Sequence, residues 1–314
     1  ITGYYQFRFS STQLSGAVAS NNPYNIVINA ITKGGFTQFG NYNFSITSLC
    51  SLLNNLYIDQ GNYGFFVESP QAEPNNVYIN TNYLAYFVSK NLCNFSNADK
   101  IKNFLDRYPN ITFYNYPQIL IYKPIPYPLK LTNTTQVETI GNYNIKIEKL
   151  TQNDLYDFDL YVDLLFYVSL YFYYNNSIDL ANYYFNKTLT YFDGKGFRDK
   201  AFKGLYDTYK ISLALYVSKV LRKNGYINQF TNILNSISRF ATKYDANLVG
   251  QGDYNLETLS ITILALSDIP YSFPRISSKV SGTAEATNPS ATIIYFLLLA
   301  IILKYFSKRI SKRR

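Results

Sequence analysis

The chain has 314 residues, 29 Lys and Arg against 20 Asp and Glu, two Cys, and no His, Trp or Met. Without imidazole there is no Ser-His-Asp triad and no His-ligated zinc or haem, and no glycine-rich loop has phosphate-cradle spacing: Gly194-Lys195-Gly196 lacks the rest of either nucleotide fingerprint. No cofactor and no metal is expected; carboxylate-only calcium sites stay open, although no twelve-residue helix-loop-helix pattern is visible.

Six of the cationic side chains lie beyond Leu303, so residues 1–303 carry a net charge of only +3. A charge so small and so dispersed gives no electrostatic footprint for nucleic acid.

In chain order, residues 1–44 form an N-terminal segment, partly helical near Ser11–Ala19 and Tyr24–Ile31. From Ser45 to Ile58 the apolar residues Ile46, Leu49, Cys50, Leu53 and Leu56 recur at three and four, an amphipathic helix. Tyr83–Cys93 and Ala98–Tyr108 complete a first helical region, 45–109. Between 110 and 150 the character changes. Ile111–Tyr114, Gln118–Tyr122 and Thr135–Leu150 are β-rich and are cut by Pro117, Pro124, Pro126 and Pro128, which reads as a small β insertion. Helices return over 151–274, at Leu155–Tyr174, Ile178–Phe192, Tyr206–Lys223, Ile227–Lys243 and Asn255–Ser267. Leu160–Tyr174 is apolar almost all round, interrupted by Asp163 and Ser169, as expected of a helix buried on every side. Alternation of such helices with amphipathic ones suits an inner and an outer layer.

Residues 275–290 read as a stalk. Residues 291–307 read as one C-terminal transmembrane helix, because Ala291–Leu303 has no charge and a basic tail, 308–314, follows. That pattern predicts a single-pass cell-membrane protein with its bulk outside and its C-terminus cytoplasmic. The start at Ile1 fits a chain whose signal peptide has been removed. Export in turn predicts a disulfide between Cys50 and Cys93, two buried thiols being the alternative. It makes the sequons at Asn43, Asn94, Asn110, Asn133, Asn175 and Asn186 glycan acceptors, although Asn is common enough for chance to supply them.

Three segments share an aromatic-Asp helix end, a glycine loop and a following helix with a Leu-Ala pair: Tyr57–Gly61, Phe192–Gly196, and Tyr244-Asp245 with Gly250 and Gly252. The last two Asp residues are one helical hairpin apart, a repeat of stacked units. Through Phe192-Asp-Gly-Lys-Gly-Phe-Arg-Asp, Tyr206-Asp-Thr-Tyr-Lys and the run from Tyr244 to Thr258, the sequence resembles the α/α-toroid superfamily. This is the ring of helical hairpins shared by six-hairpin glycosidases, polysaccharide lyases and terpenoid-cyclase-like domains, here in the form of a surface protein of thermoacidophilic archaea. An irregular helical bundle is the plain alternative.

The resemblance implies a mainly α toroid, complete or incomplete, with a cleft at the end formed by the loops before the inner helices. Carboxylates there are Glu68, Glu73, Asp199, Asp207, Asp253 and Glu257, with Asp207, Glu257, Asp253 and Glu73 the catalytic candidates. Arg198, Tyr206, Tyr209, Lys210 and Tyr254 are the candidate ligand-binding residues. Each carboxylate also fits a structural role: Asp199 and Asp253 at helix starts as caps, and Glu257 in a first turn, where the helix dipole favours it. Asn82 stands where such glycosidases often carry Asp, which counts against catalysis. Two functions follow. One is a binding or scaffolding ectodomain for glycans or neighbouring surface and membrane proteins; the other is an anchored carbohydrate-active enzyme using a carboxylate pair.

Overall fold

The computed structural model describes residues 46–108 and 115–268, which fall within one compact unit. Four helices form its centre: α2 (Ile79–Asn91), α4 (Val162–Tyr174), α6 (Thr208–Val220) and α8 (Leu256–Leu266). In α6 and α8 nearly every side chain is buried. Their polar residues are small and satisfied internally: Ser212 and Thr262 share a 2.8 Å hydrogen bond between α6 and α8, and Ser260 donates to the Leu256 carbonyl. Such satisfaction is what allows hydroxyls in a dry interior.

The outer helices are α1 (Ile46–Asn54), α3 (Ala98–Leu105), α5 (Ile178–Leu189) and α7 (Asn224–Ser236). Each presents one apolar stripe to the centre, as Ile101, Phe104 and Leu105 do in α3. They pack on α8, α2, α4 and α6 respectively, while α4, α6, α8 and α2 lie side by side in that order. Cys50 in α1 and Cys93 just beyond α2 form a disulfide, with Cα atoms 5.5 Å apart.

Strands supply the rest. β1 (Tyr57–Asp59) and β2 (Gly64–Phe66) make a short hairpin, and β3 (Asn76–Tyr78) runs parallel to β5 (Tyr143–Asp154), whose other edge pairs antiparallel with β4 (Lys130–Ile140). The two-residue strands β6 (Tyr206–Asp207), β7 (Lys243–Tyr244) and β8 (Gly250–Gln251) tie the loops before α6 and α8 together. Glycine is required at 250, because a Cβ there would meet the Arg239 carbonyl.

The structure corrects several expectations. The described helices do not form a ring of six hairpins. Between α2 and α4 stands a 3-10 helix, Tyr116–Ile121, against which both pack, and three small sheets are interleaved with the helices. The toroid fold class is therefore replaced by a two-layer helical core with inserted β elements. Of the segment Gln118–Tyr122, expected as a strand, residues 118–121 belong to that 3-10 helix, begun by Pro117 in its first turn, and Tyr122 is its C-cap. α4 starts at Val162 rather than Leu155.

The expected single-pass membrane topology is corrected as well. Among the described residues no helix is long and apolar enough to cross a membrane. The apolar helices α4 and α8 have 13 and 11 residues, against the roughly 20 that a bilayer core demands. The stretch 291–307, the stalk, the basic tail and the segment 1–44 lie outside the described residues, and the cell-membrane localisation is not retained.

Candidate functional site

A cleft opens where the first turns of α2, α4, α6 and α8 meet β5. One part, about 240 Å³, is lined by Glu148, Asp163, Tyr167, Tyr209 and Glu257 together with Asn115, Tyr116, Pro117, Thr132 and Leu164. A second part, about 190 Å³, is lined by Glu68, Glu73, Glu148 and Glu257 with Tyr78, Thr81 and Thr134. Glu148 and Glu257 line both parts.

Each carboxylate is positioned by backbone. Glu257 is in the first turn of α8, whose N-cap Asn255 accepts from Thr258 N at 2.9 Å, and the amide of Leu256 donates to the Glu68 carbonyl at 2.8 Å. Glu148 is on β5, beyond the point where β3 stops pairing. There Asn80 replaces the missing strand: its Oδ1 accepts from Glu148 N at 2.8 Å and its Nδ2 donates to the Glu148 carbonyl at 3.1 Å. Asp163 stands in the first turn of α4, and the Tyr209 hydroxyl donates to it at 3.3 Å. Glu73 accepts from Asn76 Nδ2 at 2.7 Å and from the Tyr78 hydroxyl at 3.1 Å.

The electrostatics follow from burial and crowding. Burial first, then the charges of Glu148 and Asp163, push Glu257 up to about 8. Glu68 is raised well above the ordinary carboxylate range by burial and by Glu257, Glu73 and Glu148. Burial raises Glu148, against a hydrogen bond from Asn115. Asp163 is also raised by burial, but the Lys210 ammonium and the Leu164 amide oppose that rise. Burial thus raises all four of these carboxyls, with Glu257 at about 8. Among the described residues no group of three or more potential ligands is placed to hold a metal ion.

Of the four catalytic candidates from the sequence, Glu257 and Glu73 line the cleft. Asp207 and Asp253 do not. Asp253 accepts from the amides of Gln71 and Ala72 at 2.9 and 3.1 Å, fastening the loop that carries Glu68 and Glu73. Asp207 pairs with Lys210 at 2.9 Å. Asp199 accepts from Val162 N at 2.9 Å, so it caps α4 rather than a helix of its own, and it pairs with Lys210 at 2.8 Å.

Among the candidate ligand-binding residues only Tyr209 lines the cleft. Lys210 lies buried between Asp199 and Asp207. Tyr206 is buried and stacks on Tyr244 with centroids 5.3 Å apart, while its hydroxyl and Arg198 both hold Asp193. Tyr254 packs against the core. Asn82 is fully buried: it accepts from Phe66 N at 2.8 Å and donates to the carbonyls of Phe66 and Tyr78 at 2.9 and 3.0 Å.

The sequons at Asn94, Asn133, Asn175 and Asn186 are exposed, and those at Asn43 and Asn110 lie outside the described residues. Sequence reasoning did not select Glu148, Asp163 or Tyr167 for the site. A charge inside the otherwise apolar run of α4 was the available signal for Asp163; for Glu148 no local signal existed. No protein-family model, no curated protein and no solved structure matches this chain, so the site stands on its own geometry.

Proposed function

We propose that the cleft is the active site of a carbohydrate-active enzyme that cleaves glycosidic bonds with carboxyl groups alone. The observation that carries this reading is Glu257, a carboxyl held up to about 8 beside Asp163 and Glu148 in one solvent-reached cleft. Glycoside hydrolysis needs one carboxyl protonated at working pH and a second one ionised, and nothing more. Glu257 is the acid: its proton passes to the glycosidic oxygen as the bond from that oxygen to the anomeric carbon breaks. Asp163, where the Lys210 ammonium works against the rise that burial imposes, is the base that takes a proton from the water attacking that carbon. Water is thereby added across the bond, Asp163 releases its proton to solvent, and Glu257 takes one back from solvent. Tyr167 and Tyr209 line the cleft, and tyrosine suits the mixed apolar and polar surface of a sugar.

The test is a panel of oligosaccharides and polysaccharides assayed for release of reducing ends with the natural chain, Glu257→Gln and Asp163→Asn. Turnover that falls by about 10²-fold or more in both variants, with melting temperatures retained, supports the reading. Sugar binding without turnover by the natural chain would instead make this a glycan-binding protein, the other function expected from the sequence.

A further inference from the structure

We propose that the Glu68 end of the cleft is a subsite for the ammonium group of an amino sugar, a substrate class that rests on the carbohydrate reading above. Four carboxyl groups, Glu68, Glu73, Glu148 and Glu257, face this space, and no cationic side chain lines it. Lys146 of β5 is held over the Tyr78 ring, 5.4 Å from its centroid.

Acidic side chains alone do not make a site; the second observation is Glu68 itself. It is 9% exposed, it lines the cleft, and its Oε2 is fully buried without a hydrogen-bond partner, the one carboxylate oxygen of the described residues in that state. An unpaired buried oxygen of this kind is costly and is expected to have a donor in the working state. The remaining walls set the donor's character. Tyr78 and Glu73 are already engaged with each other, and Thr81 and Thr134 offer only hydroxyls. A neutral hydroxyl would supply one donor and leave the crowding of carboxyls unrelieved, whereas an ammonium supplies three donors and the opposite charge. Because Glu148 and Glu257 line both this space and the one that holds Asp163, the ammonium belongs to a ring next to the bond under attack.

The experiment is titration calorimetry at pH 6, in two buffers of different ionisation enthalpy, with a β-1,4-linked glucosamine tetramer, its N-acetylated counterpart and spermine. Expected is binding of the glucosamine tetramer on the order of tenfold or more tighter than the N-acetylated one, with net proton release, because an ammonium draws the surrounding carboxyls into ionisation. Glu68→Gln and, on the rim, Glu73→Gln should each reduce that preference while melting as the natural chain does; two variants guard against a folding defect in one. Equal affinity for the two tetramers, or a preference that survives both substitutions, overturns the proposal. Spermine binding as tightly as the glucosamine tetramer overturns the sugar assignment. The two readings fail separately. Cleavage of neutral oligosaccharides with no amino preference removes the subsite and leaves the enzyme, whereas selective, proton-releasing binding without cleavage removes the enzyme and leaves the subsite.

Discussion

Lys210 places its ammonium 2.8 Å from the carboxylate of Asp199, and both side chains are almost completely removed from solvent. Burial alone would depress the lysine, but Asp207 and Asp199 outweigh it and hold Lys210 above its ordinary value. Through the second oxygen of Asp199, which takes the Val162 amide, this pair joins the start of α4 to the first turn of α6. It therefore sets the spacing of Asp163 and Tyr209 across the cleft. Lys210→Met should destabilise the fold by roughly 3–5 kcal/mol, since it strands Asp199 as an uncompensated buried charge. The double variant Lys210→Met with Asp199→Asn should recover part of that loss. Urea unfolding of both proteins checks this; a single variant as stable as the natural chain would show that the pair is not structural.

Asn82 is the residue that argued from sequence against catalysis, and its hydrogen bonds explain why Asp is not used there. Its amide group donates to Phe66 O and Tyr78 O, locking β2 and the end of β3 onto α2. An Asp could accept from Phe66 N but would set a buried anion against two carbonyls. Asn82→Asp should cost roughly 2–4 kcal/mol and create no activity. Thermal melts with parallel activity assays decide it, and a gain in turnover would contradict the structural role.

The disulfide closes a sequence separation of 43 residues between α1 and the end of α2. On loop-entropy grounds it stabilises by about 3–4 kcal/mol. Cys50→Ala with Cys93→Ala should lower the denaturation midpoint accordingly, and leave the cleft carboxylates able to work, since neither cysteine lines it.

What the sequence revealed followed the range of the interactions involved. The amphipathic helices α1, α3 and α7 were legible because one stripe of each meets the centre, and α4 because it has no polar face at all. Glu257 and Glu73 were found through their place in loops and first turns. Glu148 was not, because its position depends on the Asn80 clamp 68 residues away, and strand alternation around it only says that Ile145 and Ile147 face the core. Tyr206 and Lys210 were read as exposed recognition groups, yet the ring of Tyr244 and the carboxylates of Asp199 and Asp207 bury them. Such long-range partners leave no trace in local spacing. The ring architecture failed for a similar reason: the loop motifs that suggested it pair in the small β6–β7–β8 sheet, and they say nothing of the 3-10 helix between α2 and α4.

Glu257 gives the sharpest pH dependence. Its folded value of about 8 lies above the ordinary 4.5, so the folded chain holds a proton there that the unfolded chain releases. Stability from this group is therefore highest below the unfolded value and is lost as pH rises towards 8, beyond which the folded carboxyl ionises too. Glu257→Gln keeps the shape and removes that loss. It should be more stable than the natural chain at pH 8 by roughly 1–3 kcal/mol, discounted for the cleft's access to water, and should show little advantage at pH 4. Activity should fall over the same pH range. As a general acid Glu257 must be protonated, so turnover should decline as pH rises through about 8, and Glu257→Gln should lack that alkaline limb along with most of the rate. Melting curves and initial rates from pH 4 to 9 measure both. A stability gain that does not grow with pH would show that Glu257 is ionised in the fold, and the acid role would pass to another carboxyl of the cleft.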